Sequence, residues 1–410
     1  MRLPLPVVGA LVLLAAVAVA GCEQKVYLTE KRASPGSVAV APAATAVAAG
    51  PAAPGARARP VAPAPAPVNR PGWAPPAVFD TAVVVNGQPC RLRLEAETDS
   101  TQRLKTTYQP YPGHYEQARG YQGRFTFTLH APDGRQVFRR QLRKADFYKA
   151  AGQDIVTESE AYRPELLAYS AAFGALVFTL DFMVPDSDVG AQAVLLLDLS
   201  GRVVRISDGR APGGGADCEP ALTPNGRALL TGSELLRPRQ PPLRLHRADA
   251  DLAGAFLLTD STVLVVYALG KSHPIYAPGA PETYGRTPTP QQQRAANALV
   301  RHIGTGRVLS RFRYNGFYEE LGYTIPRAYA AGVHYLLDEQ RGLRLVPAAA
   351  PARTSEVRFA AMPRFVPPQR PAEVRFELQS AGSAFAFYVD TTSQALPGTT
   401  PRIRYQRLEE

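Results

Sequence analysis

Two short stretches of this 410-residue chain gather side chains that could do chemistry. One is Asp186-Ser187-Asp188 with Gly190, paired carboxylates in a turn-like segment between apolar runs. Hard oxygen ligands at that spacing could take calcium, a cation that wants about six to eight of them. The full loop of alternating Asp and Asn with a distal Glu is missing, so a solvated turn is the plainer reading. The other stretch is Tyr314-Asn315-Gly316-Phe317-Tyr318-Glu319-Glu320-Leu321-Gly322-Tyr323. Exposed, Tyr314, Phe317, Tyr318 and Tyr323 would form a ligand surface, their ring faces stacking on a sugar or peptide while Glu319 and Glu320 hydrogen-bond its edges. Buried, alternate rings would fill a core, and one of the glutamates would pair an arginine. Tyr108, Tyr111, Tyr115 and Tyr121, around Pro110, Pro112 and His114, form a looser group open to the same two readings.

Elsewhere the search for catalytic constellations is negative. The chain has no Gly-x-Ser-x-Gly elbow, His-Glu-x-x-His helix, Ser-x-x-Lys, P-loop or dinucleotide fingerprint. Its six histidines stand far apart and define no ligand spacing. Gly213-Gly214-Gly215 sits between Pro212 and Asp217 without a following Lys-Ser, which reads as a flexible loop and not a phosphate cradle. The chain thus reads as non-enzymatic, with no cofactor expected apart from calcium at Asp186 and Asp188.

The elements that must position these residues are mostly strands. Short apolar or alternating runs occur at 78–85, 91–95, 123–130, 136–142, 175–182, 193–199, 202–206, 228–231, 262–269, 298–303, 308–314, 334–338, 343–346, 374–378 and 384–390. Between them, Asp133-Gly134, Ser200-Gly201, Asn225-Gly226 and Thr305-Gly306 put glycine where a tight hairpin wants positive φ, each followed by arginine. Helical pattern is confined to 144–149, 158–167 and 291–297. These periodicities predict an all-β protein with short helical insertions.

The start of the chain differs in kind from the rest. Arg2 precedes an almost unbroken apolar run over 7–20 that closes on Val19-Ala20-Gly21-Cys22. That ending resembles a bacterial lipobox. The resemblance implies cleavage before Cys22, a diacylglyceryl group on its sulfur and an acylated new amino terminus, giving a protein held on a membrane by its lipid without spanning it. Glu23 in place of Asp implies, by resemblance to the envelope sorting rule, the outer membrane over the inner one. The membrane is then the first expected partner, with an envelope protein or a glycan as the second. Residues 23–76 follow as a tether, dominated from 33 by Ala, Pro, Gly and Val, a composition that favours extended polyproline II over a packed core.

The formal charge of +11 does not point to nucleic acid. Residues 1–76 hold seven of the 46 basic and two of the 35 acidic residues, which leaves +6 over 77–410. So modest an excess, without a basic helix or an RNA-binding aromatic motif, is no nucleic-acid footprint. If Cys22 is lipidated, Cys90 and Cys218 form the one remaining intramolecular pair. They are either a disulfide formed in an oxidising compartment or two separately buried thiols.

Leu197-Asp198-Leu199-Ser200-Gly201-Arg202-Val203-Val204-Arg205, then Ala221-Leu222-Thr223-Pro224-Asn225-Gly226-Arg227-Ala228-Leu229-Leu230, resembles consecutive strands of a β-propeller of the TolB or YVTN kind. His302-Ile303-Gly304-Thr305-Gly306-Arg307-Val308-Leu309 repeats the hairpin half. Turn glycines at 134, 201, 226, 306 and 342 depart from a regular blade of ~40–45 residues, so the resemblance implies a degenerate propeller. The segment 125–206 also resembles uncharacterised secreted lipoprotein domains of Gram-negative envelopes, which implies a sandwich-like front. The expected architecture is a front β unit over 77–207 and a propeller-like rear unit over 208–410. The expected function is a lipid-anchored envelope protein acting as a binding or scaffold module. One alternative is a glycan-acting hydrolase, which needs two carboxylates ~5–10 Å apart in one cleft; the other is a purely structural accessory lipoprotein. Among the acids, Glu319 with Glu320 is a poor catalytic pair, because neighbours on a strand face opposite ways.

Overall fold

In the computed structural model the described residues are 76–111, 114–209, 215–270, 272–275, 283–319, 322–392 and 401–408. The described residues divide into two compact units, 273–275 with 283–285 in the first and the rest in the second. Nearly all described residues belong to the second unit, an all-β body of successive antiparallel sheets.

The first sheet is the meander β1 (Ala77–Val85), β2 (Gln88–Tyr111), β3 (His114–His130) and β4 (Gln136–Arg143). The second follows with β5 (Glu165–Ser170), β6 (Ala175–Met183), β7 (Gly190–Asp198) and β8 (Val203–Asp208). Shorter strands make the third: β9 (Ala221–Leu222), β10 (Leu229–Leu230), β11 (Glu234–Arg237) and β12 (Gln240–Arg244). The fourth sheet joins β13 (Ala250–Thr259) and β14 (Thr262–Leu269) to β17 (Ala298–His302) and β18 (Val308–Phe312), with β15 (Ser272–Ile275) and β16 (Thr283–Arg286) forming a separate pair in the intervening insertion. A second small pair, β19 (Tyr318–Glu319) with β20 (Tyr323–Thr324), precedes the fifth sheet. That sheet comprises β21 (Arg327–Ala330), β22 (Val333–Asp338), β23 (Gly342–Pro347) and β24 (Ser355–Arg358). The sixth has three strands, β25 (Glu373–Ser380), β26 (Ser383–Asp390) and β27 (Ile403–Leu408). Among the described residues no sheet closes on itself.

Successive sheets stack face to face, and the strand patterns say why. In β6 alternate residues serve two cores: Leu176, Phe178, Leu180 and Phe182 pack with Leu92, Leu94, Phe125 and Phe127 of the first sheet, while Ala175 and Val177 pack with Leu229 and Leu236 of the third. A strand covered on both faces reads as a continuous apolar run. β14 repeats the device, sending Val263, Val265 and Tyr267 to the third sheet and Leu264, Val266 and Ala268 to the fifth. In the fifth sheet Leu336 and Val346 face the fourth, while Tyr335, Leu337, Leu343 and Leu345 face the sixth. The first sheet is apolar on one face only. Arg91, Arg93, Glu95 and Glu97 alternate with its buried residues in β2, as expected at the end of a stack.

The hairpin turns carry the local chemistry expected of them. Asn86 (φ 51°) and Gly87 (φ 80°) make the two-residue turn that sets Val85 opposite Gln88. After β7, Asp198 Oδ1 accepts from Ser200 N, Ser200 Oγ and Arg202 N at 2.9, 2.6 and 2.9 Å, and Gly201 takes φ 79°.

Two helices sit between the first and second sheets, α1 (Tyr148–Ala151) and α2 (Gln153–Glu158). The helix expected over 158–167 is not there: Glu158 ends α2, and Glu165–Ser170 is the strand β5. Pro164 explains the change, since it pushes the preceding residue out of the helical region. In the fourth sheet's insertion, α3 (Pro290–Arg294) is shorter than the helix expected over 291–297; it opens on a Thr289 side chain that accepts from Gln292 N.

β2 and β3 outrun their neighbours. β1 pairs β2 over 88–96 and β4 pairs β3 over 124–130, but the β2–β3 register continues to Tyr111 opposite His114. The result is a two-stranded arm, irregular between Asp99 and Arg103. Among the described residues α2 packs along one face of it, and Lys144 and Ala161 touch the other face at its base, beside Gly123. Gly120 allows the approach of α2, for a Cβ on it would lie 2.0 Å from Thr157 O.

Candidate functional site

The aromatic stretch after β18 was the leading candidate for a ligand surface, and most of it is internal. Tyr314 is 2% exposed; its Oη donates to Leu337 O at 2.8 Å and its N donates to Asn297 Oδ1 at 2.8 Å. Asn297 is itself buried, its amide donating to Tyr267 O and Tyr314 O. Phe317 packs edge-on against Tyr323, ring centroids 5.7 Å apart, and both join the core between the fourth and fifth sheets. Tyr318 is half-buried and Glu319 is exposed, whereas Glu320 lies outside the described residues. Of the two readings the buried one holds for these rings: Tyr314, Phe317 and Tyr323 seal two sheets together because Leu336 and Val346 of the fifth sheet cover them.

The stretch also builds the glutamate–arginine pair that goes with buried rings, within a cluster whose other members sequence spacing did not give. Arg286, at the end of β16, lies 3.4 Å from Asp251 Oδ2 in β13 and 3.7 Å from Glu319 Oε2, both measured from its Nη2. The same guanidinium donates to Tyr323 Oη and stands over its ring, 5.2 Å from the centroid. Burial pushes the Tyr323 hydroxyl up to about 12, with Arg286 pulling the other way, so the phenol stays neutral across the physiological range. Arg286 is 35 residues from Asp251 and 33 from Glu319 in sequence, which is why no local motif announced the group.

A cavity of about 300 Å³ opens between the third and fourth sheets, walled by Leu222, Pro224, Leu230, Phe256 and Leu257. Two charged side chains line it, Glu219, which is exposed, and Arg327 at the start of β21. Arg327 is held on two sides: its guanidinium lies 4.7 Å from the Phe256 ring centroid, and its Nη1 donates to Asp217 Oδ2 and Ile325 O. Asp217 is fixed in turn by the Ile325 amide at 2.9 Å. Its own main chain bridges β13, Asp217 N donating to Ala253 O and Ala255 N to Asp217 O. Gly254 makes that bridge feasible, since a Cβ there would come within 2.7 Å of Asp217 O. A second cavity of about 370 Å³ lies over Tyr267, but its charged groups are bonded to each other. Arg247 forks onto Asp249 at 2.9 and 2.7 Å, and Gln292 donates to Asp249 O.

The remaining sequence-nominated residues fall apart in space or stand alone. Cys90 and Cys218 are free thiols in different cores, Cys90 between the first two sheets and Cys218 between the third and fourth, so the disulfide alternative gives way to separate burial. Cys218 Sγ donates to Thr231 O at 2.9 Å, and burial pushes this thiol up to about 12, which makes it an inert packing residue. Asp186 and Asp188 are exposed in the turn between β6 and β7, whose Ser187 Oγ accepts from Val189 N and donates to Val184 O. Among the described residues no three His, Cys, Asp or Glu side chains gather as a metal ion would need. Tyr115 is 69% exposed and Tyr108 Oη donates to Glu116 at 2.7 Å; both lie on the arm of β2 and β3. Cys22 and Glu23 lie outside the described residues, and among those described no helix is long and apolar enough to cross a membrane.

No protein-family model matches the chain, and no curated protein does. Solved structures similar to it include the crystal structure of the GH43_1 enzyme from Xanthomonas citri, at 13% identity over 80% of this chain and 87% of that one, with a TM-score of 0.20. So low a score leaves the architecture resting on its own sheets and cores.

Proposed function

We propose that the chain is a bacterial envelope lipoprotein whose all-β body is a non-enzymatic binding module, held by lipid on Cys22 and raised on the tether over 23–76. The supporting observation is how the body uses its carboxylates. Asp217 is on Arg327, Asp251 and Glu319 are on Arg286, and Glu373 is on Arg404. A hydrolytic acid must hold its proton near neutral pH, which calls for burial without a cation. Arginine contact works the other way, and it lowers the Glu373 carboxyl below its ordinary range. The cavity beside Arg327 fits binding better: apolar walls for a small ligand body and one oriented guanidinium to fix it.

The test has two parts. Cys22→Ala should move the chain from the membrane pellet to the soluble fraction while its thermal transition is retained; a variant still in the pellet would refute the anchor. For the cavity, glycan fragments, short peptides and small apolar carboxylates are screened by thermal shift against the chain and a Leu222→Trp variant that fills the space. A ligand that raises Tm in the first and not the second supports the reading, and equal shifts in both place binding elsewhere.

A glycan hydrolase is the second reading, and one observation favours it. Asp251 and Glu319 share a single Arg286 nitrogen, so their oxygens are no further apart than the sum of 3.4 and 3.7 Å. That lies within reach of the ~5–9.5 Å separations of glycosidase carboxylates. Release of an aryl leaving group from glycosides by the chain, abolished in Asp251→Asn, would install this reading in place of the first.

A further inference from the structure

The arm of β2 and β3 has two faces of opposite character. Thr106, Ala118 and Gly120 turn toward α2, where Ala118 is fully buried. On the other face the register sets Arg103 opposite Tyr121, Lys105 opposite Arg119 and Thr107 opposite Gln117. Arg103, Lys105 and Arg119 are all exposed. Two cations therefore stand directly across from one another with a third beside them, an arrangement that is destabilising in an isolated ribbon. None of the residues at 103, 105, 107, 117, 119 and 121 is acidic. Arg119 Nη2 donates to the neutral Gln117 Oε1 at 3.0 Å. Glu116 belongs to the opposite face, where it accepts from Tyr108 Oη at 2.7 Å and lies 3.1 Å from His114 Nε2.

We propose that this face docks on the anionic headgroups of a membrane surface. The cations form an extended row, not a pocket, so they suit a charged plane better than a single small ion. Tyr115 and Tyr121 flank the row, and tyrosine is a side chain that settles at headgroup level, its ring in the apolar boundary and its hydroxyl in water. The support from α2 holds the arm's other face, so the row is presented in a fixed direction. Proximity comes from the lipid anchor proposed above, on which this part of the inference rests: β1, in the same sheet as the arm, begins at Ala77, directly after the tether.

The test places an environment-sensitive thiol label on Thr107→Cys in the full chain, with the labelled wild-type chain as blank. The labelled protein is mixed with vesicles of phosphatidylcholine alone or with phosphatidylglycerol added. The expected result is a blue shift on the anionic vesicles that high salt reverses. The ratio of docked to free label should fall about fivefold for each of Arg103→Gln, Lys105→Gln and Arg119→Gln, and by about a hundredfold in the triple variant. No shift on anionic vesicles at low salt, or an equal shift on neutral ones, overturns the proposal. So does an equal shift with soluble polyphosphate, which would make the face a site for a dissolved polyanion. Flotation with neutral vesicles reports on the anchor alone, so a chain that stays in solution there while its label shifts on anionic vesicles refutes the lipid and keeps the arm.

Discussion

Lys144 is fully buried, and its Nζ donates to three main-chain carbonyls, Tyr121 O at 3.0 Å, Thr157 O at 3.3 Å and Ser159 O at 2.5 Å. Burial pushes the ammonium down to about 7, against the pull of nearby Glu160. The three acceptors also favour the charged form, because only the ammonium has three N–H donors. An unfolded lysine titrates near ~10.4, so between about pH 7 and 10 the unfolded chain binds more protons than the folded one. Stability should therefore rise with pH through that window. In Lys144→Met this slope should vanish, while the unpaired carbonyls lower stability by about 2–4 kcal/mol. Urea titrations below, within and above the window check both. Asp198 behaves in the opposite sense. The Ser200 hydroxyl, followed by Arg202, lowers its carboxyl to about 2, so its contribution is present above about pH 4 and lost as pH falls through about 2. Asp198→Ala should cost about 1 kcal/mol at neutral pH, and its melting curve should converge on that of the wild type in strong acid. This turn was legible from Ser200-Gly201-Arg202, because turn chemistry is local; Lys144 was not, because its three acceptors come from segments 13 to 23 residues away.

Among the elements, the arm depends on one close approach. Gly120→Ala would drive a methyl into Thr157 O, separating α2 from β3 and costing about 1–3 kcal/mol. Amide exchange should then quicken in the arm beyond residue 97 and stay unchanged in the distant fifth and sixth sheets. Legibility varied with how much of a strand's pattern other sheets impose. β6 and β14 stand out as apolar runs because both faces are covered, and the expected runs at 175–182 and 262–269 coincide with them almost end to end. β13 was missed: Gly254 interrupts it, and that glycine is there for Asp217 and not for the strand. β21 and β27 were missed as well, since Arg327, Arg404 and Arg407 give them a polar look that their ion pairs and ring contacts explain.

The all-β body is a succession of sheets in which each completes its neighbour's core, including across residues 207 and 208, where Ala175, Val177, Val194 and Leu196 meet Leu229 and Leu236. Removing 208–410 should expose that face, so a fragment ending at 207 should melt lower than the full chain and bind a hydrophobic dye. A fragment as stable as the whole would show a front unit that stands alone. At this scale the division of labour is clear. Composition and period determined the all-β class and the turn residues the turn positions, while a resemblance to a lipobox implied the anchor at Cys22; each depends on residues close in sequence. Tertiary structure decided which faces are covered. It turned Tyr314 and Tyr323 inward, brought Asp251 and Glu319 onto Arg286, and set Lys105 across from Arg119. A side chain's period says which face it occupies, whereas what meets that face is set by strands far along the chain.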